Sequence, residues 1–157
     1  MVYIPADLVC GILREVNKRL PNETGGVLAG NVVGESQWII THVTLAGANA
    51  VHSRLSYKPD YDHDEKQIAK IYEETDCTSV YLGDWHSHPD SRSYMSKKDE
   101  SVLRTIAQSK EARMSQPLML IVGTSPLEFC CWTFRQLNLF GKKFISVPVV
   151  LLAPSVK

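Results

Sequence analysis

The chain of 157 residues has the length of one ordinary domain, and 44% of its residues are hydrophobic, as in most globular proteins. Seventeen Lys and Arg balance seventeen Asp and Glu, so no net charge favours nucleic acid or an anionic membrane, and we predict neither as a partner. The sequence has no bilayer-spanning apolar run, no signal-peptide pattern and no CxxC pair among its four cysteines. We therefore expect a single domain over residues 1–157, located in the reducing cytoplasm.

Hydrophobic spacing predicts helices interspersed with strands, which indicates an α/β or α+β fold with a mixed sheet. The helix that begins at Ser96 is expected to turn Val102, Leu103 and Ile106 inward. In chain order we predict a helix at 5–20, strands at 25–30, 37–45 and 55–57, a helix at 62–75, a strand at 79–88, a helix at 96–109, and strands at 117–122, 127–135 and within 139–152.

The most informative motif is His86-Ser87-His88-Pro89 followed by Ser96 and Asp99. Two residues apart on a strand, His86 and His88 project from the same face, and Asp99 falls in the first turn of the next predicted helix. Two imidazoles and a carboxylate leave a fourth tetrahedral position open, as in catalytic zinc sites. Taken singly, His-x-His is also common on surfaces, and Ser96-x-x-Asp99 is also a variant of the helix capping box.

A metal hydrolase needs a base that takes the proton from the attacking water. The best candidate is Glu23, which stands in the turn between the first predicted helix and the Gly25-Gly26 strand. From composition alone, Glu23 is only an ordinary exposed loop carboxylate.

These residues together resemble a known family, the JAMM (JAB, MPN-plus) metalloproteases. The family pattern is a glutamate, then H-x-H-P, then S-x-x-D, and this chain has Glu23, His86-Ser87-His88-Pro89, Ser96 and Asp99 in that order. The order of predicted elements suggests that the resemblance covers nearly the whole chain. It implies a JAB/MPN domain with a curved mixed β-sheet flanked by helices, similar to the cytidine deaminase fold.

The resemblance also implies a role for each matched residue. His86, His88 and Asp99 would bind one Zn²⁺ per chain, and water would take the open position. Glu23 would deprotonate that water and pass the proton to the leaving amine. Ser96 would donate a hydrogen bond to the developing oxyanion.

The Gly83-Asp84-Trp85-His86 run is more similar to the prokaryotic branch of the family than to the eukaryotic deubiquitinases. One departure is Met95, which stands where many members have a proline before the serine; we expect a looser loop there but no lost ligand. Prokaryotic relatives occur in operons with E1- and E2-like enzymes, which are candidate partners. Some remove ubiquitin-like modifiers, and others, in CBASS antiphage systems, release a nucleotidyltransferase that is conjugated through its own C-terminus.

The resemblance thus predicts a deubiquitinase-like isopeptidase of antiviral defence. Its substrate would be a protein with a flexible C-terminal tail, either a ubiquitin-like protein or a nucleotidyltransferase conjugate. The tail would lie along segments 46–61 and 90–95, which are polar and loop-like and are otherwise plain surface loops. His42, His52 and His63 show no ligand spacing and are expected to be ordinary core or surface residues.

Several alternatives remain. The same chemistry could process the C-terminus of a ubiquitin-like or sulfur-carrier precursor, or the chain could be a non-catalytic MPN scaffold, although such scaffolds lose residues that this chain keeps. A zinc nucleobase deaminase is disfavoured because the H-x-E and P-C-x-x-C signatures are missing. A DNA-associated JAB protein is disfavoured because the chain is neutral.

Overall fold

The structure is a computed structural model that describes residues 1–136 and 141–153. Its elements, in chain order, are β1 (Val2–Pro5), α1 (Ala6–Arg19), β2 (Gly25–Val33), β3 (Gln37–Val43), β4 (Val51–Ser53), β5 (Ser56–Lys58), α2 (Tyr61–Glu74), β6 (Val80–His88), α3 (Lys97–Gln108), β7 (Leu118–Thr124), β8 (Leu127–Gln136), β9 (Lys142–Val147) and β10 (Val149–Leu152). Within the described ranges, no helix has both the length and the apolarity needed to cross a membrane.

Eight strands form one mixed sheet in the order β10-β1-β3-β2-β6-β7-β8-β9, and β4 and β5 form a separate hairpin. β1 runs parallel to both of its neighbours, β6 runs parallel to β7, and the other pairs are antiparallel. The predicted fold class, a curved mixed sheet flanked by helices, is confirmed.

The prediction of a single strand within 139–152 is wrong. Pro148 alone separates β9 from β10, yet the two strands lie at opposite ends of the sheet order. The sheet must therefore curl until its two edges almost meet, so that one proline can bridge them. The Val2 backbone N–H donates to the Pro148 carbonyl at 2.9 Å, which ties this crossing to β1. Residues 139–140 of the predicted strand lie outside the described residues.

The core lies on both faces of the central strand β7. Leu118, Leu120 and Val122 belong to one buried cluster with residues of α1, whereas Met119 and Ile121 belong to a second cluster with Leu103 of α3. Because side chains alternate between the two faces of a strand, both faces of β7 are covered. This explains why its sequence is a continuous apolar run. The strand β6 lies directly beside it and carries the motif residues.

An irregularity in β6 determines which side chains face α2 and α3. Ala29 pairs with Tyr81 and Leu28 pairs with Gly83, so Leu82 is the extra residue of a bulge. Gly83 has a φ of +149°, and a Cβ there would lie 2.0 Å from the Leu118 carbonyl oxygen, so only glycine fits. The bulge lets Tyr81 share a face with Asp84, which in turn precedes His86 by two positions.

Candidate active site

The structure brings His86, His88 and Asp99 together at the end of β6 and the start of α3. The two Nε2 atoms lie 3.0 Å apart, His86 Nε2 lies 3.3 Å from Asp99 Oδ1, and His88 Nε2 lies 3.6 Å from Asp99 Oδ2. All three side chains are nearly buried. In the described part of the chain, this is the one convergence of three or more His, Cys, Asp or Glu side chains that could hold a metal ion.

The geometry of this set fits a tetrahedral divalent metal. Ligands about 2.0–2.1 Å from a tetrahedral zinc lie roughly 3.3 Å from one another, and the three separations of 3.0, 3.3 and 3.6 Å bracket that value. Burial and the neighbouring His86 lower the pKa of His88, so its ring tends to be neutral and able to act as a ligand. Two nitrogens and one oxygen are a donor set typical of zinc hydrolases.

Asp99 is held in place by the helix it helps to cap. Ser96 is the N-cap of α3: its Oγ accepts the Asp99 backbone N–H at 3.2 Å, and Asp99 Oδ2 accepts the Ser96 backbone N–H at 2.8 Å. The capping box is therefore present and coexists with the convergence on the two histidines. Burial raises the pKa of Asp99, but the hydrogen bond and charge of His86 and the bonds from Ser96 outweigh burial and hold the pKa well below its usual range.

Glu23 reaches the same place from the connection between α1 and β2. It lines a cavity of about 1320 Å³ together with His86, Asp99 and Ser96. Burial raises the pKa of the Glu23 carboxyl, although the charges of His86 and Lys98 partly oppose this effect. A raised pKa suits a carboxylate that must accept a proton and later return it.

Hydrogen bonds between Thr24 and Ser87 connect the Glu23 segment to β6, the strand that carries His86 and His88. Ser87, between the two histidines, faces the opposite side of β6, as the two-residue alternation predicts. The Ser87 N–H donates to the Thr24 carbonyl at 2.8 Å, and the Thr24 N–H donates to Ser87 Oγ at 3.1 Å. Glu23 is therefore one residue from an attachment to the strand that carries His86 and His88.

The hairpin β4–β5 gives Glu23 a second support that sequence reasoning missed. The Glu23 N–H donates to the Ser53 carbonyl at 2.8 Å, and Nδ1 of His52 donates to the Glu23 carbonyl at 2.9 Å. The Tyr57 backbone lies close enough to the Glu23 carboxyl to oppose in part the rise in its pKa caused by burial. His52 was expected to be an ordinary core or surface histidine. Its hydrogen bond to Glu23 could not be predicted, because a contact between residues 29 positions apart leaves no local sequence pattern.

The loop before Ser96 contacts one of the two histidines, His88. The Tyr94 ring centroid lies 5.3 Å from that of His88. Met95, the departure from the family pattern, packs against the buried cluster that contains Leu103 and Met119. Met95 thus supplies an apolar attachment at the position where many members of the family have proline.

A second group of polar residues, also missed from the sequence, lies in the same cavity. Tyr81 Oη donates to Asp84 Oδ1 at 2.7 Å, and Asp64 of α2 and Tyr57 of β5 line the cavity nearby. The sequence held one indication of it, since Asp84 precedes His86 by two positions and so shares its face of β6.

A curved JAB-type sheet and a converging His-His-Asp set beside a glutamate define a metalloprotease, a hydrolase of peptide or isopeptide bonds. The chain matches the family described as prokaryotic homologs of the JAB domain over residues 5–135, and it belongs to that family. The recognition made from the motif and the prediction of an enzyme are both confirmed.

Two kinds of named relatives are similar to this chain. The probable metalloprotease y4qB of Sinorhizobium fredii is 32% identical over 127 residues, which cover 80% of this chain and 77% of that protein. The CD-NTase/cGAS isopeptidases of Escherichia coli and Vibrio cholerae are 31% and 28% identical over 125 residues each, covering 79% and 78% of this chain and 76% of each relative. The name of the first relative implies a metal.

Among solved structures, protein DSY2949 from Desulfitobacterium hafniense shares the fold with a TM-score of 0.68. The match covers 98% of this chain and 94% of that one at 20% identity.

Proposed function

We propose that this protein is a zinc-dependent isopeptidase that cleaves the amide bond after the C-terminus of a protein conjugated to a target. The conjugated protein is a ubiquitin-like modifier or a CD-NTase-type nucleotidyltransferase. The observation that carries the proposal is the convergence of His86, His88 and Asp99 beside Glu23, inside a cavity of about 1320 Å³. Such a cavity is large enough for an extended peptide segment.

The roles of the residues follow from this geometry. His86, His88 and Asp99 would hold one Zn²⁺, which supplies polarisation of the scissile carbonyl and a lowered pKa of the attacking water. Glu23 takes the proton from that water and returns it to the leaving amine. The Ser96 hydroxyl donates to the carbonyl oxygen as negative charge develops there, because the capping bond uses the oxygen and leaves the hydroxyl hydrogen free.

The nature of the substrate is supported by the relatives and by the walls of the cavity. Three relatives are named CD-NTase/cGAS isopeptidases, which points to conjugates of that class and to a role in antiviral defence. Segments 46–61 and 90–95 both contribute to the cavity wall, and Leu55, Tyr61 and Tyr94 expose apolar surface there. A flexible C-terminal tail would lie between these segments, and E1- or E2-like enzymes would supply the conjugate.

The same proposal includes organisation and location. Residues 1–157 are taken as one JAB domain, supported by a family match over 5–135 and by a sheet that joins β1 to β10. The cytoplasm is the proposed compartment, and the four free cysteines are compatible with its reducing conditions.

The test is cleavage of defined fusions by the purified, zinc-loaded protein, with the cut mapped by mass spectrometry. Each fusion carries a CD-NTase-type nucleotidyltransferase or a ubiquitin-like protein, joined through its C-terminus to a reporter protein. We expect one cut at the junction, its loss after chelation and its return with zinc. Glu23→Gln should lower kcat by about 10²–10⁴-fold, the usual contribution of a general base.

The matched control is Glu73→Gln, which makes the same change at an exposed position of α2 outside the cavity. Cleavage that survives complete metal removal would rule out the mechanism. Cleavage of a sulfur-carrier precursor alone would favour the processing protease, and zinc binding without any cleavage would favour the non-catalytic scaffold.

A further inference from the structure

The cavity continues past the metal ligands along β6, beneath the first turns of α2. Its floor there is acidic, with Asp84 from β6 and Asp64 from α2. Asp84 and His86 are two positions apart on the same face of a strand, a separation of about 7 Å. The acidic floor is therefore within reach of a side chain that belongs to a residue beside the scissile bond.

Asp64 is held in the wall of this cavity without a partner. It is only 7% exposed, and its Oδ1 atom is buried with no hydrogen bond. Within residues 1–136 and 141–153, no Lys, Arg or His nitrogen comes within ion-pair distance of Asp64 or Asp84. The Tyr57 hydroxyl, in the same cavity, is also buried without a hydrogen bond.

An arrangement of this kind is costly unless a cation enters it. Buried carboxylates are normally paired, and an unpaired one is strongly disfavoured. Burial and the adjacent Asp84 raise the pKa of Asp64 to about 6. Lys58, which also lines the cavity, is exposed to solvent and makes no ion pair with either aspartate.

We propose that Asp64, Asp84 and the Tyr57 hydroxyl form a specificity subsite that binds a free lysine side chain of the protein substrate, close to the scissile bond. An ammonium group has three donors, and the floor offers three kinds of acceptor: the unpartnered Asp64 oxygen, the Asp84 carboxylate and the unpartnered Tyr57 oxygen. Tyr81 holds Asp84 in position by donating to its Oδ1. This inference rests on the proposed peptidase function, because it assigns a substrate feature to the same cavity.

The experiment starts from the cut mapped in the fusion substrate. Each of the four residues on either side of the cut is replaced in turn by lysine and by its uncharged analogue norleucine. Then kcat and KM are measured for the wild type, for Asp64→Asn and for Asp62→Asn. Asp62 is an exposed aspartate two positions away on the same helix, so it controls for the change in charge.

We expect lysine at one position to raise kcat/KM at least tenfold over norleucine in the wild type and in Asp62→Asn. Asp64→Asn should reduce that ratio to below threefold, mainly by raising the KM of the lysine substrate. Tyr57→Phe, which keeps the ring and removes only the hydroxyl, should reduce the ratio to an intermediate value. The absence of any lysine preference in the wild type, or its survival in Asp64→Asn, would overturn the subsite.

Failure of the proposed function is distinguishable from failure of the subsite. If the wild type cleaves no fusion, Nα-acetyl-lysine methylamide, whose side-chain ammonium is free, is titrated into zinc-loaded protein. Its norleucine analogue is titrated in the same way, and binding of each compound is followed by nuclear magnetic resonance. Preferential binding of the lysine compound that Asp64→Asn abolishes supports the subsite alone. Equal binding of the two compounds refutes it.

Discussion

The Ser96 hydroxyl group caps a helix and also lines the cavity of the candidate site. Its oxygen accepts the Asp99 N–H as the N-cap of α3, and the hydroxyl hydrogen remains available to a ligand in the cavity. The structural and the chemical interpretation of the Ser-x-x-Asp motif therefore do not compete. The capping role predicts a loss of folding stability when the hydroxyl is removed, and the oxyanion role predicts a loss of kcat.

Ser96→Ala removes both roles at once. The lost cap should lower the free energy of unfolding by about 1 kcal/mol. The lost oxyanion donor should lower kcat about 100-fold, equivalent to ~3 kcal/mol of barrier. Denaturant unfolding and steady-state kinetics on the mapped substrate measure the two effects. Ser115→Ala, which changes an exposed serine outside the cavity, is the control. A kcat within threefold of wild type in Ser96→Ala would remove the oxyanion role.

Asp64 predicts a pH dependence of stability. Its pKa is about 6 in the folded protein against an ordinary value of 3.8, so between pH 4 and 6 the folded state binds more protons than the unfolded state. The free energy of unfolding should therefore fall as the pH rises through this window. Above pH 6 the ionised Asp64 destabilises the folded state by its full amount. Asp64→Asn lacks this titrating group. Its free energy of unfolding at pH 7.5 should therefore be higher than that of the wild type by on the order of 1–3 kcal/mol.

Denaturant unfolding of both proteins in chelator at pH 4 and pH 7.5 checks this difference. At pH 4 the two should nearly coincide, since a protonated aspartic acid and an asparagine are both neutral. A wild type that is the more stable protein at pH 7.5 would mean that the Asp64 carboxylate has a partner in solution.

At the scale of elements, the hairpin β4–β5 acts as a support for the proposed base. It accepts the Glu23 N–H through Ser53 and donates to the Glu23 carbonyl through His52. Its tip is fastened across the cavity mouth by an ion pair of 3.4 Å between Arg54 and Asp90. Because both residues are exposed, that ion pair contributes little to stability, so the hydrogen bonds at Glu23 are the more important attachment.

His52→Phe should keep the tilted ring contact with Tyr57, whose centroid is 5.5 Å away, and lose the hydrogen bond to Glu23. We expect kcat to fall about 10-fold, as misplacement of a catalytic group does, with KM and zinc content unchanged. His52→Asn, which retains a donor, should restore part of the rate. Equal kcat in His52→Phe and the wild type would show that β2 alone positions Glu23.

Local sequence pattern predicted the longer elements well. β6 and α3 begin within a residue of the predicted positions, because alternation and the Ser96 cap are local properties. β1 was missed, since four residues that end in Pro5 carry too little alternation to stand out. Val102 was expected to point inward but is 39% exposed and lines the cavity, because the inward face of α3 is set by β7 and β8 rather than by the helix itself.

At the scale of the whole molecule, the candidate site is built from segments that are distant along the chain. The Thr24–Ser87 hydrogen bonds join residues 63 positions apart and hold the loop that contains Glu23 next to β6. A family resemblance could predict that pairing, whereas the residues alone could not. The acidic floor was not predicted, because Asp64 reaches Asp84 only through the packing of α2 on β6, which no local pattern encodes.

The curled sheet also limits what a metal can do for stability. Since β6 is an inner strand, bonded to β2 and β7, the metal does not have to assemble the sheet. A metal held by His86, His88 and Asp99 would link the end of β6 to the first turn of α3. We therefore expect the metal-free protein to remain folded and zinc to add to its stability. This differs from small zinc-dependent domains, which are unfolded without metal.

Zinc at 100 times its dissociation constant should raise the free energy of unfolding by about 2.7 kcal/mol, because a ligand that binds only the folded state stabilises it by mass action. For a chain of this size that corresponds to a rise in Tm of about 5–10 °C, measured by calorimetry on chelator-treated protein with and without zinc. His88→Gln should lose most of this rise, because one of the three ligands is removed. His42→Gln, which changes a histidine outside the converging set, should keep it. A rise that persists in His88→Gln would locate the zinc elsewhere and would withdraw the ligand assignment on which the proposed mechanism depends.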